Sequence, residues 1–174
     1  MEYKYCPKCA EKLARENVHD QRPLRCQNVR CRFIFWHAAS PTVAVVIEDE
    51  EGRILLTRRN IEPDKGKLDL PGGFMNRNEA AQATAVREIR EELGVDIEVG
   101  EFILTVPDSY YYQDTLEPTL NIAFAARIIG NKQLAIDPRE IAEVVWIKLA
   151  EIDRHELAFA NNERVLKKYG EMTG

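Results

Sequence analysis

Residues 73–95 read GFMNRNEAAQATAVREIREELGV. Neither Pro nor Gly interrupts residues 79–93, Ala80, Ala81, Ala83 and Ala85 are strong helix formers, and Gly94 stands where a left-handed residue caps a helix. Asn76 followed by Glu79 has the spacing of a capping box. Val86, Ile89 and Leu93 form an apolar stripe that turns toward a core. Glu88, Glu91 and Glu92 stand at i, i+3 and i+4, so their carboxylates rise from a second face about one turn apart. Like charges at that spacing destabilise an isolated helix by roughly 0.2–0.5 kcal/mol per pair unless a cation lies between them. A solvated face on which Arg87 pairs with Glu91 is one reading of this pattern. The turn Leu70-Pro71-Gly72-Gly73 favours another, because glycine lets backbone approach a ligand without a Cβ in the way. A carbonyl from Gly73 beside three carboxylates makes a hard, all-oxygen site of the kind Mg²⁺ or Mn²⁺ prefers.

The stretch resembles the Nudix signature GX5EX7REUXEEXGU, where U is aliphatic, at every fixed position: Gly73, Glu79, Arg87, Glu88, Ile89, Glu91, Glu92, Gly94 and Val95. The resemblance covers residues 41 to about 155. It implies an α+β fold, a Nudix-type α/β/α sandwich with a mixed sheet between helices. It also implies a hydrolase of nucleoside diphosphates linked to another moiety. In that family the glutamates matching Glu88, Glu91 and Glu92 bind metal or help activate water, and the arginine matching Arg87 orients them. Many relatives carry Glu and Gly in the turn before the helix, where this chain has Asn76 and Asn78. Asn tolerates left-handed backbone, so the turn is expected to survive, while the number of metals stays open.

The chain has 174 residues, 45% hydrophobic and 30% charged, with a net charge of −5. This suits one sizeable core, or a core plus a small module. No run approaches the ~18 apolar residues of a membrane span. The start MEYKYCPKCA lacks the apolar stretch of a signal peptide, so a cytoplasmic location is expected. Residues 1–40 hold eight Lys and Arg against four Asp and Glu, a net +4 that leaves −9 for residues 41–174. All four cysteines lie in the basic part, which sets a domain boundary near Ser40 and Pro41: a small N-terminal zinc ribbon at 1–40 and a Nudix hydrolase domain at 41–174.

Cys6 and Cys9 are separated by two residues, and Cys26 and Cys31 by four. Two thiolate pairs, each closed by a short turn, are what tetrahedral structural Zn²⁺ requires. Disulfides or free thiols are the competing reading, and the absence of an export signal disfavours it. His19 and His37 stand by as substitute ligands, although four cysteines already fill such a site. About forty residues bury too little apolar surface to fold well unaided, so structural support is the expected role of the ribbon. Its positive charge with Phe33, Phe35 and Trp36 also fits a nucleic-acid surface, but the alternation from Phe33 to His37 fits a plain strand, and nucleic acid is not the expected partner.

Farther on, Thr42–Glu48 and Arg53–Arg59 read as strands joined by the turn Asp49–Gly52, a hairpin pattern. Further strands are expected at 97–106, 120–129 and 143–148, and a final helix from Asn162 to Tyr169, stopped by Gly170. Arg58 and Arg59, with Lys65 and Lys67 nearby, are candidates for holding phosphates. Tyr110, Tyr111 and Tyr112, in an expected loop after Pro107, include candidates for stacking on a base, chiefly Tyr110 and Tyr112. Glu140 and Glu143 precede a strand in the region from which relatives often draw a further catalytic glutamate, and Glu143 is favoured slightly.

A zinc ribbon ahead of a Nudix domain is similar to the arrangement in NADH, FAD and ADP-ribose pyrophosphatases. Arg58-Arg59-Asn60-Ile61-Glu62-Pro63, then Gly66 and Leu70-Pro71-Gly72-Gly73, resembles that group in particular. The NADH group's SQPWPFPXS motif is missing, since Asp108-Ser109-Tyr110-Tyr111-Tyr112-Gln113 stands in its place. ADP-ribose or FAD is therefore the expected nucleotide-type substrate, with nucleoside triphosphate clean-up behind it. A ligand-sensing regulator is the alternative of a different class, disfavoured because every box carboxylate is retained. The family resemblance makes a homodimer plausible.

Overall fold

The structure, a computed structural model, describes residues 3–16, 23–112 and 115–174, without the side chain of Tyr112. His19 therefore lies outside the described residues. The ribbon consists of β1 (Leu13–Arg15), β2 (Leu24–Cys26) and β3 (Ile34–Phe35), antiparallel in that order. Beyond it come β4 (Ser40–Ile47), β5 (Arg53–Arg59), β6 (Leu68–Asp69), β7 (Gly72–Phe74), α1 (Ala81–Leu93), β8 (Asp96–Tyr112), β9 (Thr115–Ile129), β10 (Ile141–Lys148) and α2 (Ala160–Thr173). One sheet runs β7-β4-β9-β8 and is mixed, because β4 and β9 are parallel while the other pairs are antiparallel. The other runs β10-β5-β6 and is antiparallel.

The β4 sequence is apolar at consecutive positions because both of its faces are covered, as expected for a strand with a parallel partner. Val43, Val45 and Ile47 pack with Ala85, Ile89 and Leu93 of α1. Ala44 and Val46 pack with Val165, Leu166 and Tyr169 of α2. Period two thus sends alternate residues of one strand into two separate cores, which is the α/β/α sandwich.

Four expectations change. The turn after β4 does not make a hairpin ladder: β4 and β5 belong to different sheets and share the bridge Glu48–Ile54. Each strand finds its ladder with a partner distant in sequence, β9 for β4 and β10 for β5. The three tyrosines are not in a loop, because β8 continues through Pro107 to Tyr112 and pairs with β9 down to Tyr112–Thr115. Pro107 is tolerated because β8 is the sheet edge and its ladder with β9 occupies one side only. Gly170 does not stop α2, which runs on to Thr173. A Cβ at Gly170 would fall 2.8 Å from Leu149 Cδ2, the movable end of a side chain, so Leu149 packs closely against the helix at this point. Last, α1 begins at Ala81 with Ala80 at the cap, so Asn76 is not a helix cap. The Glu79 carboxylate does accept from the Asn76 amide (3.0 Å), but in the turn that precedes the helix.

Gly72 holds φ +143, and a Cβ there would lie 2.1 Å from the carbonyl oxygen of Val43 on the adjacent strand. Since that neighbour is backbone, it cannot rotate away. Gly72→Ala is expected to cost about 2–3 kcal/mol, read as a lowered denaturation midpoint in urea. Wild-type stability in that variant would show that β7 can shift away from β4.

Candidate active site

β7 and α1 are built around one guanidinium. Arg87 donates Nε to Glu79 Oε1 (2.8 Å) and Nη2 to Glu79 Oε2 (2.9 Å), a two-pronged pair. Its Nη1 reaches both Glu88 (2.8 Å) and Glu91 (2.9 Å), and Nη2 also donates to the Phe74 carbonyl (3.0 Å). One cation therefore ties the turn, β7 and two acids of the helix together. Hydrogen bonding from Arg87, then from the Asn76 amide, holds the Glu79 carboxyl down at about 2 despite partial burial.

The three helix glutamates share a face but differ in surroundings. Glu91 is 60% exposed, whereas Glu88 is 14% exposed. Glu92 turns toward the preceding strand and accepts the Gly72 N–H at 3.0 Å. Burial pushes the Glu88 carboxyl up, against the pull of Arg87. Burial pushes Glu92 well up, against the Gly72 amide, and the charges of Asp69, Glu88 and Glu140 add to the rise. A Cβ at Gly73 would fall 2.6 Å from Glu88 Oε1, so only glycine leaves this carboxylate its place against the β7 backbone. The donor set fits Mg²⁺ or Mn²⁺: it is all oxygen, and two of its acids, Glu88 and Glu92, are half-buried where a countercharge would favour their ionised forms.

Beside this face lies a cleft of about 220 Å³ bordered by Gly72, Gly73, Glu92, Glu140 and aromatic side chains. Tyr110 borders it and meets Phe74 edge-on (centroids 5.5 Å apart) and Phe159 at 5.9 Å. Arg59 also borders it, with its guanidinium 4.9 Å above the Phe159 ring. Arg59 is already engaged, donating to Asp69 Oδ2 (2.7 Å) and to the Pro63 carbonyl (2.8 Å). The other Asp69 oxygen accepts from Asn162 at 2.7 Å. Burial raises the Asp69 carboxyl, opposed first by the charge of Arg59.

Arg58 and Glu143 are not among the residues that border the cleft. They face each other across the β5–β10 ladder and form an ion pair of 2.6 Å. Glu140, the other acid weighed from sequence, borders the cleft instead. Tyr111 is 55% exposed, and the Tyr112 side chain lies outside the described residues. Lys67 donates to the His155 carbonyl. Sequence reasoning did not single out Asp69, Phe74 or Phe159. Asp69 carried a usable signal, being a lone acid in the apolar stretch Leu68–Pro71 just before the glycine turn.

In the ribbon, Cys6 Sγ lies 3.7 Å from Cys31 Sγ and Cys9 Sγ 3.5 Å from Cys26 Sγ, and all four sulfurs are within 4.8 Å of one another. These separations are too long for a disulfide and close to the ~3.8 Å edge of a tetrahedron with Zn–S bonds of about 2.3 Å. The four cysteines are free. Burial pushes the Cys26 thiol up to about 12, a cost that metal ligation of the thiolate would remove. His37 is not a fifth candidate: its Nε2 meets Glu117 of β9 at 3.2 Å.

The sequence pattern of the NUDIX domain matches residues 39–169. The chain belongs to the NUDIX family. It is 33% identical over 132 residues to an ADP-ribose pyrophosphatase of Methanocaldococcus jannaschii, an alignment covering 74% of this chain and 73% of that one. It is 24% identical over 147 residues to the NAD-capped RNA hydrolase NudC of Pectobacterium carotovorum, spanning 84% of this chain and about half (51%) of that protein. A NUDIX hydrolase structure from Nitrosomonas europaea superposes with a TM-score of 0.74 at 25% identity, covering 97% of this chain and 91% of the other. The chain is thus a Nudix hydrolase, with the Nudix α/β/α sandwich behind an N-terminal four-cysteine module. Among the described residues no helix is long and apolar enough to cross a membrane.

Proposed function

We propose that this Nudix hydrolase cleaves the pyrophosphate bond of a nucleoside diphosphate linked to a second moiety, with ADP-ribose or FAD as substrate. The observation that carries the reading is that one cleft brings together half-buried carboxylate, glycine backbone and three aromatic rings, the chemistry a nucleotide with two phosphates needs. The resemblance to an ADP-ribose pyrophosphatase over 74% of the chain supports it.

In this reading Glu88, Glu91 and Glu92, with the Gly73 carbonyl, would hold Mg²⁺ or Mn²⁺. A cation held there would supply charge neutralisation for the phosphate oxygens and a more acidic attacking water. Arg87 keeps Glu88 and Glu91 in register by donating to both. Glu88, which lies against the Gly73 backbone and is oriented by Arg87, takes the proton of the attacking water. In-line attack at one phosphorus breaks the P–O–P bridge, and the products are two phosphate monoesters. Glu140 borders the cleft along with Asp69, Glu92 and Asp108. Tyr110 offers the ring face for a base, with Phe74 and Phe159 bracing it.

Hydrolysis of ADP-ribose, FAD, NADH, nucleotide sugars and oxidised dNTPs, compared with Mg²⁺ present, tests this. ADP-ribose or FAD should give the highest kcat/KM. Turnover confined to nucleoside triphosphates would overturn the substrate class.

The module of residues 1–40 is proposed to be a structural zinc ribbon. Stripping the metal with a chelator is expected to unfold it, and Co²⁺ refilling should give the visible absorption of tetrahedral Co–thiolate. A ribbon that keeps its dispersed NMR signals after exhaustive chelation would remove zinc from the account.

A further inference from the structure

The small sheet of the ribbon has two unlike faces. On one, Leu24 and Cys26 are buried, and Phe35, the ladder partner of Leu24, meets the Tyr3 ring at 4.6 Å. The other face follows by alternation from the cross-strand row Ala14, Arg25 and Ile34. Lys12 and Trp36 stand two residues from Ala14 and Ile34, and Tyr5 bridges Lys12 at the edge of the sheet. The outer members of this face are open: Tyr5 is 61% exposed, Trp36 is 45% exposed, and Lys12 is exposed as well. In sequence, the run from Phe33 to His37 fits a strand packed on its neighbours. Phe35 is packed in that way and Trp36 is not.

The charge around these rings is unbalanced. Lys4, Lys8, Lys12, Arg30 and Arg32 are exposed, and none of them has an acidic partner among the described residues. Glu16 is taken by Arg25 at 3.0 Å, which leaves Glu11 as the other acid of the described ribbon. Beyond residue 40 the pattern reverses, since eight of the ten arginines there hold a carboxylate. Lys8 lies between Cys6 and Cys9, and Arg30 and Arg32 flank Cys31. The 3.7 Å approach of Cys6 to Cys31 therefore gathers three cations at the sulfur cluster. Unpaired like charges at that density repel one another, so a polyanion is the ligand that relieves them. Open aromatic rings beside them favour a polyanion whose repeating unit carries a flat face as well as a phosphate.

We propose that this face of the ribbon binds single-stranded nucleic acid, with bases stacking on Tyr5 and Trp36 and phosphates lying against Lys8, Lys12, Arg30 and Arg32. Every base has a π face and every nucleotide a phosphate, so the contact is tolerant of sequence and of the sugar. The two rings stand three strand spacings apart, about 14 Å, and so take separate bases. A duplex keeps its bases stacked on each other and offers this face only phosphates, which makes it the weaker ligand. An acidic polypeptide would engage the cations and leave the rings idle. The face is distinct from the cleft, which no residue before Thr42 borders, so the proposal does not depend on which nucleotide the active site cleaves.

Fluorescence anisotropy of labelled oligouridine and oligodeoxythymidine, each about 15 nucleotides long, titrated with the full chain tests this. Both should bind with a Kd of about 1–100 μM in about 50 mM salt. The logarithm of affinity should fall against that of salt with a slope of about −2 to −3, the mark of three or four phosphate contacts on a single strand. Tyr5→Ala and Trp36→Ala should each weaken binding by about 5- to 30-fold. Tyr5→Phe and Trp36→Phe keep a ring and should keep most of the affinity. Arg30→Glu combined with Arg32→Glu should flatten the salt slope by about 1.4. The dispersed NMR signals of the ribbon check that each variant is folded. No binding of either oligomer at about 100 μM protein overturns the proposal. So does undiminished affinity in folded Tyr5→Ala and Trp36→Ala, or displacement by polyglutamate as readily as by unlabelled oligouridine.

Discussion

Glu91→Gln combined with Glu92→Gln is expected to lower kcat by about 10³-fold and to leave the protein folded. The prediction turns on the two acids contributing charge to catalysis and little to the fold. Glu91 is 60% exposed and pairs with Arg87, which retains Glu79 and Glu88. The Glu92→Gln side chain would keep an oxygen to accept the Gly72 N–H that Glu92 now accepts. Burial raises the Glu92 carboxyl well above its ordinary 4.5, so its charged form opposes folding when no cation is bound. The sign follows from linkage: a carboxyl with a raised folded-state pKa favours folding below the unfolded value and loses that contribution as pH climbs through the folded value. In metal-free protein the double variant should therefore gain stability over wild type as pH rises above about 4.5, seen as a growing difference in melting temperature. Near-normal turnover by the variant would remove the helix carboxylates from the chemistry.

Arg87→Ala is expected to destabilise the protein by about 2–4 kcal/mol and to reduce activity with it, since the half-buried Glu79 and Glu88 lose their shared partner. Five hydrogen bonds leave with the guanidinium, two of them to Glu79 and one to the Phe74 carbonyl on β7. Arg87→Lys should recover only part, because an ammonium cannot present two parallel N–H groups to Glu79 while also reaching Glu88. The deficit should depend on pH. Glu79 is held at about 2 by Arg87, so its contribution is complete above the unfolded value of 4.5 and disappears as pH falls through about 2. Urea denaturation across that acid range should show the wild-type and Arg87→Ala curves converging. A constant gap would mean that Arg87 acts through packing and not through Glu79.

The residues from Gly73 to Val95 were legible because helical geometry is local. A spacing of three and four residues puts Glu88, Glu91 and Glu92 on one face wherever the helix lies, and Gly94 does adopt φ +69 and cap it. The cysteine spacing was legible as two short turns, while the meeting of Cys6 with Cys31 and of Cys9 with Cys26 depends on how the ribbon folds. Pairing between strands was not. Asp49–Gly52 looks like a hairpin turn, yet β4 takes β9 as its ladder partner, and a period-two pattern states which faces are buried without saying which strand lies alongside. Gly170 shows the same limit from the other side. A glycine in a helical pattern reads as a stop, yet the helix passes through it to Thr173.

Sequence alone determined the family, the acidic face, the glycine turn and the four-sulfur cluster, because each depends on contacts within about two dozen residues. Tertiary structure decided that Arg87 is the centre of that face, that Glu140 and not Glu143 borders the cleft, and that Arg59 is locked to Asp69. It alone brought Asn121 of β9 and Asn161 of α2 to the same cleft as Tyr110. These residues come from three separate elements, and nothing in local periodicity encodes which distant side chains close around one space.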